Sequence, residues 1–197
     1  MTDSNPIEFH PYQIFDVPNS NIFIVGTFPI GKFTNPLRGG EIKTDDIDFF
    51  YGGSGNLLWK TIGKVFSEDL GTKEKIKYFL QNKQISVADV IHSCRRKNGS
   101  ASDKDLCDIT WNSELKQVLI KAEHPKIFFT SKQYAKKWFE ENIYPGYPGI
   151  TDVLFSPSAQ AIIALSTKPD CKAWVKLNLG KRPSDYLVVL YKKAFEK

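Results

Sequence analysis

Cysteine and histidine are both scarce, at three each in 197 residues, and what they fail to form excludes several kinds of chemistry. Cys94, Cys107 and Cys171 are far apart and odd in number, with no CxxC pair and no closely spaced Cys/His set. Zinc therefore has no ligand set, and a cluster held by four thiolates lacks a ligand. Reduced thiols in a cytosolic protein are the consistent reading, and a cytoplasmic location is expected. Long hydrophobic runs are missing as well: the longest is one strand or one helix face, far short of a membrane span. The opening stretch, MTDSNPIEFH, has neither the basic nor the apolar region of a signal peptide. Internal repeats, low-complexity tracts, the GxxxxGK(S/T) phosphate loop and the GxGxxG pattern are absent too.

What is present is ordinary for a globular chain: 41% hydrophobic and 25% charged residues, at a length suited to one domain spanning 1–197. The formal charge of +5 permits a polyanionic partner without requiring one. The basic residues are scattered, apart from the Arg95-Arg96-Lys97 cluster.

Apolar patterning lays out alternating strands and helices. Residues 21–26, NIFIVG, are a short apolar run that stops at glycine before Pro29, which predicts a buried strand feeding a loop. The next stretch, through Asp48, is rich in Gly, Asn, Asp and Lys and reads as a long loop. From Asn56 the spacing of Leu57, Leu58, Ile62 and Val65-Phe66 predicts an amphipathic helix, and residues 72–82 a second. Residues 85–91 predict a strand leading into the polar loop HSCRRKNGSASDKD, and 112–122 a helix. A third strand is expected over 126–130, then a helix over 131–142 capped by Ser131. After the turn-rich YPGYPG, TDVLFSPS gives a fourth strand ending in Ser and Pro, and a last helix over 182–197 is capped by Ser184. This alternation predicts an α/β protein with a central, mostly parallel sheet, helices on both faces, and ligands at the strands' carboxyl ends.

The strand-end loops therefore carry the candidate chemistry, each with a plain structural reading beside it. Gly26 permits a tight turn, and Pro29 stiffens its exit. Asn56, directly before Leu-Leu-Trp, is a good helix cap whose side chain would bond a backbone N–H two or three residues on. Ser158 would cap a short helix after Pro157. His92 follows a strand but has no Cys, His or carboxylate pattern beside it, so a structural role is expected. Asp89 reads as a strand-end cap, and Arg95-Arg96 either as a solvated loop or as a phosphate contact.

In combination, three of these stretches resemble the uracil-DNA glycosylase superfamily: the strand ending Gly26-Thr27-Phe28-Pro29, the turn Tyr51-x4-Asn56-x-x-Trp59, and the late Ser156-Pro157-Ser158. The chain is most similar to the mismatch-specific and hypoxanthine-DNA glycosylase branches. There the second stretch commonly reads Tyr-x-His-Pro-x-Asn-x-Phe-Trp, and Tyr51, Asn56, Leu58 and Trp59 occupy the matching positions. The resemblance extends loosely over residues 20–165. It implies a three-layer α/β/α sandwich around a four-stranded sheet, and a reaction in which a deaminated or mismatched base is flipped from the duplex and its N-glycosidic bond hydrolysed. On that resemblance Asn56 orients the water. Gly26, Thr27, Phe28, Pro29 and Tyr51 line the base pocket, with Phe28 or Tyr51 stacking on the base. Ser156, Pro157, Ser158 and Arg95 hold the DNA phosphates. No metal and no organic cofactor is needed, the partner is DNA with a damaged or mismatched base, and a monomer without membrane contact is expected.

Three positions depart from the family's pattern. Phe28 stands where several families place a water-positioning Asp or Asn. Gly53-Ser54-Gly55 replaces His-Pro-x in a more flexible turn, and Ser156 replaces a His or Asn that steadies the departing base. An amide cannot act as a general base near neutral pH, so Asn56 would orient water only, and the reaction would lean on leaving-group stabilisation. Three rival readings stay open: a catalytically silent nucleic-acid-binding protein on the same scaffold, a hydrolase of a small nucleoside or nucleotide, and an α/β protein unrelated to DNA.

Overall fold

The computed structural model describes residues 5–97 and 100–196. Residues 98 and 99 of the expected polar loop, 1–4 of the opening stretch and 197 of the expected terminal helix lie outside the described residues. In chain order come β1 (Glu8–Phe9), β2 (Ile22–Gly26), the one-turn helices α1 (Gly31–Thr34) and α2 (Pro36–Gly39), α3 (Leu58–Phe66) and α4 (Lys73–Asn82). Then follow β3 (Ile85–Asp89), β4 (Ile91–Arg96), β5 (Leu106–Trp111), α5 (Glu114–Lys121) and β6 (Lys126–Phe129). Two π-wound segments, Lys132–Lys136 and Phe139–Ile143, lead to β7 (Thr151–Val153), α6 (Ala159–Thr167), α7 (Pro169–Leu177) and α8 (Pro183–Phe195).

Four strands form one parallel sheet in the order β3-β2-β6-β7. The two central strands, β2 and β6, are nearly continuous apolar runs because both faces of the sheet are covered, while the outer strands β3 and β7 include Ser86, Asp89, Thr151 and Asp152. On one face Ile24, Ile85, Val87 and Phe128 pack with Leu58, Trp59 and Ile62 of α3, Leu80 of α4, and Leu187 and Tyr191 of α8. On the other, Phe23, Val25, Ala88, Ile127 and Phe129 pack with Leu115 and Leu119 of α5 and with Phe139 and Ile143. Successive strand residues face opposite sides, so Phe23-Ile24-Val25 feeds two cores at once. All three are fully buried, and each such side chain contributes roughly 1.5–3 kcal/mol. The result is the expected α/β/α sandwich with a four-stranded parallel sheet.

The first five residues of the expected polar loop, 92–96, form a strand instead. β4 pairs antiparallel with β1 and β5 in a second, three-stranded sheet. His92 is exposed while Ser93, Cys94 and Arg96 are buried, so a run that looks uniformly polar covers a core with part of its length. The reason is pairing: Glu8 on β1 neutralises Arg96, which lets the guanidinium leave water. Arg95-Arg96 is accordingly not a solvated loop.

Other boundaries moved by smaller amounts. The stretch up to Asp48 contains α1 and α2, and α3 starts at Leu58, two residues past Asn56. Ser131 does accept from the Tyr134 N–H at 3.2 Å, but the helix that follows is π-wound. Ser184 lies inside α8, which Pro183 opens with Arg182 as N-cap. No described helix is long and apolar enough to cross a membrane.

Candidate active site

At the carboxyl edge of the parallel sheet, Gly26 and Asp89 sit side by side in register, and Thr130 follows the end of β6. Tyr51 reaches over this corner. Its hydroxyl lies 3.2 Å from Thr130 Oγ1 and 3.4 Å from Asp89 Oδ1, to which it donates. Only glycine fits beneath it: a Cβ on Gly26 would collide with Tyr51 Oη and Asp89 Oδ1. Tyr51 itself is held at φ 56°, a left-handed conformation that costs a tyrosine free energy. Burial, with the Asp89 charge adding to it, raises its hydroxyl well above the ordinary phenol range, so it stays a donor.

Asp89 has a second partner. His10 Nε2 lies 2.9 Å from Asp89 Oδ2, and both side chains are only 6% exposed. His10 Nδ1 accepts from the Tyr12 backbone N–H at 3.1 Å, so the ring proton sits on Nε2 and is donated to Asp89. Nearby, Thr27 Oγ1 donates to Asp103 Oδ1 at 2.9 Å. Burial pushes the Asp103 carboxyl up to about 6, the Asp89 charge adds to the rise, and the Thr27 hydrogen bond opposes it.

The first strand-end loop is held rigidly. Val90 and Ile91 donate to the Gly26 and Thr27 carbonyls at 3.0 and 3.2 Å. Phe28 is buried against two side chains: the His10 ring lies edge-on at 5.7 Å, and the Arg96 guanidinium sits 5.4 Å from its centroid. Arg96 in turn bonds the Pro29 carbonyl and Glu8 Oε2, the latter at 2.8 Å.

The Asn56 turn is held rather than flexible. Asp46, its side chain fully buried, accepts from Lys32 Nζ at 2.5 Å, from the Lys43 N–H at 2.6 Å and from the Ser54 N–H at 2.7 Å. Burial alone would raise that carboxyl; the ammonium and the N–H donors overcome it and hold the group well below the usual carboxylate range. Asn56 Oδ1 accepts from the Leu58 N–H at 2.9 Å, so the amide satisfies the first N–H of α3 as expected, although Leu57 and not Asn56 stands at the N-cap position. Its Nδ2 has no hydrogen-bond partner among the described residues, and a carbonyl oxygen has a second lone pair. Asn56 also lines a cleft of about 820 Å³ with Tyr51, Gly53, Ser54, Trp59 and Ser184.

The last motif touches the second directly: Leu57 N–H donates to the Pro157 carbonyl at 2.9 Å. Ser156 and Ser158 hydroxyls lie 3.3 Å apart, and Ser158 Oγ caps α6 by accepting from the Ala161 N–H at 3.2 Å. Gly26–Pro29, Tyr51–Asn56 and Ser156–Ser158 are thus joined in one corner through Tyr51 and Leu57. Arg95 is placed differently, on β4, with Asp108 at 3.2 Å and the Asn5 carbonyl as partners. His10, Thr130 and Asp103 carried no signal in the sequence. Asp89 did, as the polar end of an apolar strand. No group of three or more His, Cys, Asp or Glu side chains among the described residues is arranged to hold a metal ion.

The chain matches no protein-family model and no curated protein. Among the solved structures it resembles is an NMR structure of a "putative uracil DNA glycosylase" from Methanosarcina acetivorans, at 21% identity and a TM-score of 0.55. The match covers 95% of this chain and 98% of that one. The two proteins share a fold. At this identity the likeness speaks for architecture, the parallel sheet and its covering helices, and the corner described above stands on its own geometry.

Proposed function

We propose that this protein is a DNA glycosylase of the uracil-DNA glycosylase superfamily. It takes a deaminated or mismatched base, of the uracil or hypoxanthine class, out of the duplex and hydrolyses its N-glycosidic bond, as in base excision repair. The observation that carries this reading is the meeting of the three motif loops at one sheet corner, with Tyr51 over Gly26 and Leu57 bonded to Pro157 beside Asn56. The fold shared with a protein named as a uracil DNA glycosylase adds support.

In this mechanism the flipped base enters along Gly26, Thr27, Phe28, Pro29 and Tyr51. Phe28, fixed between His10 and Arg96, supplies an apolar wall, and the Tyr51 phenol remains protonated to meet the base. Asn56 uses the free side of its amide to orient water toward the sugar carbon as the glycosidic bond lengthens and positive charge builds on the sugar. Ser156, Pro157 and Ser158 hold the neighbouring phosphates through hydroxyl and backbone groups. Arg95 joins them only by exchanging Asp108 for a phosphate.

A second reading has one observation in its favour: Asn56 Oδ1 already accepts from Leu58, as it would in a protein that binds DNA without cutting. Strand scission separates the two. Labelled duplexes carrying one uracil, hypoxanthine, xanthine or G·T mismatch are incubated with protein and treated with alkali. Cleavage at one of these positions is the expected result. Salt-sensitive binding without cleavage on any duplex would favour the silent binder, and the absence of both would remove the DNA reading.

A further inference from the structure

The cluster Arg95-Arg96-Lys97 is the densest basic run of the sequence, yet Arg95 and Arg96 are both committed to carboxylates. A different set of cations is free. Lys168, Lys172 and Lys176 recur every four residues from the start of α7 to its last turn, and Lys181 and Arg182 follow in the turn before α8. All five are exposed, and none has a carboxylate within ion-pair distance among the described residues. At about 3.6 residues per turn the three lysines share one side of α7 and Asp170 lies on the opposite side. The other nearby carboxylate, Asp185, already accepts from Lys64 Nζ and the Arg182 N–H, both at 2.9 Å.

We infer that this lysine stripe and the turn after it form the surface on which the duplex docks, contacting phosphates on one side of the flipped nucleotide. The inference rests on the DNA reading above and deepens it by naming where the undamaged duplex lies. Both ends of the stripe connect to the candidate site. At one end Lys168 Nζ sits 5.0 Å from the Phe155 ring centroid, and Phe155 directly precedes Ser156. At the other, Arg182 caps α8, whose Ser184 lines the same cleft as Asn56. Between them α7 is anchored by Trp174 packed 5.5 Å from the Tyr186 ring of α8. A rise of about 1.5 Å per residue spreads the three lysines over roughly 12 Å, and a DNA strand offers a phosphate about every 3.4 Å along its axis. Charge complementarity therefore commits the surface to a polyanion with repeated charges.

Leu177 and Leu179 are 83% and 93% exposed beside these lysines, a combination that would also suit an anionic lipid surface. The test separates the two. Affinity of full-length protein for an undamaged labelled duplex is measured from about 50 to 200 mM salt, for wild type, the triple variant Lys172→Ala/Lys176→Ala/Lys181→Ala, and Leu177→Ser/Leu179→Ser. Each lost phosphate contact lowers the log–log salt slope by about 0.9, so the triple variant should lose about 2.7 from the slope. Across that salt range the wild type should then weaken roughly 40-fold more than the triple variant. The leucine variant should keep the wild-type slope. Salt-dependent wild-type binding with an unchanged slope in the triple variant would overturn the docking surface and leave the DNA reading intact. No DNA binding by the wild type would sink the DNA reading and the docking surface with it. Binding instead to vesicles of about 30% phosphatidylserine, lost in the leucine variant, would assign the surface to lipid.

Discussion

Two basic regions of this molecule have opposite fates. On β4, Arg95 faces Asp108, and Arg96 is buried against Glu8 and the Pro29 carbonyl. Along α7 and the turn after it, five cations stand in solvent with no carboxylate at ion-pair distance among the described residues. Counting charges along the chain ranks these regions the wrong way round, because a cation beside a buried carboxylate is a structural part and one on an unpaired helix side is available. The corner near β4 is a dry, cross-braced network that fixes the loop containing Phe28. The surface near α7 is where a charged partner can be met.

The sharpest way to break the contrast is to remove a cation from each region. Arg96→Ala leaves Glu8 buried without its partner and is expected to cost about 3–5 kcal/mol, whereas Lys172→Ala should stay within about 0.5 kcal/mol of wild type. Urea denaturation of both variants measures the gap, and equal losses would erase the distinction between the regions.

Asp103 sharpens the picture of the dry corner. Its carboxyl is raised to about 6 from 3.8, so between these values the native protein keeps a proton that the unfolded chain has lost. Its contribution to stability is therefore present below about pH 4 and lost as pH rises through 6. Asp103→Asn preserves an acceptor for Thr27 and removes that loss. It should match wild type at pH 4 and exceed it at pH 8, by about 3 kcal/mol at most, given 1.36 kcal/mol per pKa unit. Urea midpoints at the two pH values check this, and a constant difference across pH would contradict the assignment.

A smaller effect tests the close approach at the corner. Gly26→Ala places a methyl group against Tyr51 Oη and Asp89 Oδ1 and should cost about 1–3 kcal/mol through overpacking. Tyr51→Phe in the same background removes the oxygen being struck and should recover part of the loss. No recovery would mean that the collision lies elsewhere.

The centre of the parallel sheet was legible in the sequence because a strand covered on both faces must be apolar throughout, as in residues 22–26 and 127–129. β4 was not legible. Its burial depends on Glu8, some ninety positions away, and a paired Arg looks the same in sequence as a solvated one. The same limit hid His10, which meets Asp89 only after the chain has folded, and Thr130, an ordinary strand-end residue until Tyr51 reaches it. The lysines of α7 were visible as letters, but their lack of acidic partners is a fact of three dimensions. Asn56 lay between these cases: its capping was readable from the neighbouring leucines, while the cleft beside it depends on Ser184, far along the chain.

The measurement that bears most directly on the account is single-turnover release of free base from a uracil- or hypoxanthine-containing duplex by wild type, Asn56→Ala and Asn56→Asp. The aspartate keeps an oxygen to cap Leu58, whereas alanine loses the cap at about 0.5–2 kcal/mol, so thermal melting of each variant reports folding separately. The account predicts base release by wild type and a loss of about 10²-fold or more in folded Asn56→Ala. Base release at the wild-type rate by Asn56→Ala, or none by wild type on any of these duplexes, would contradict it.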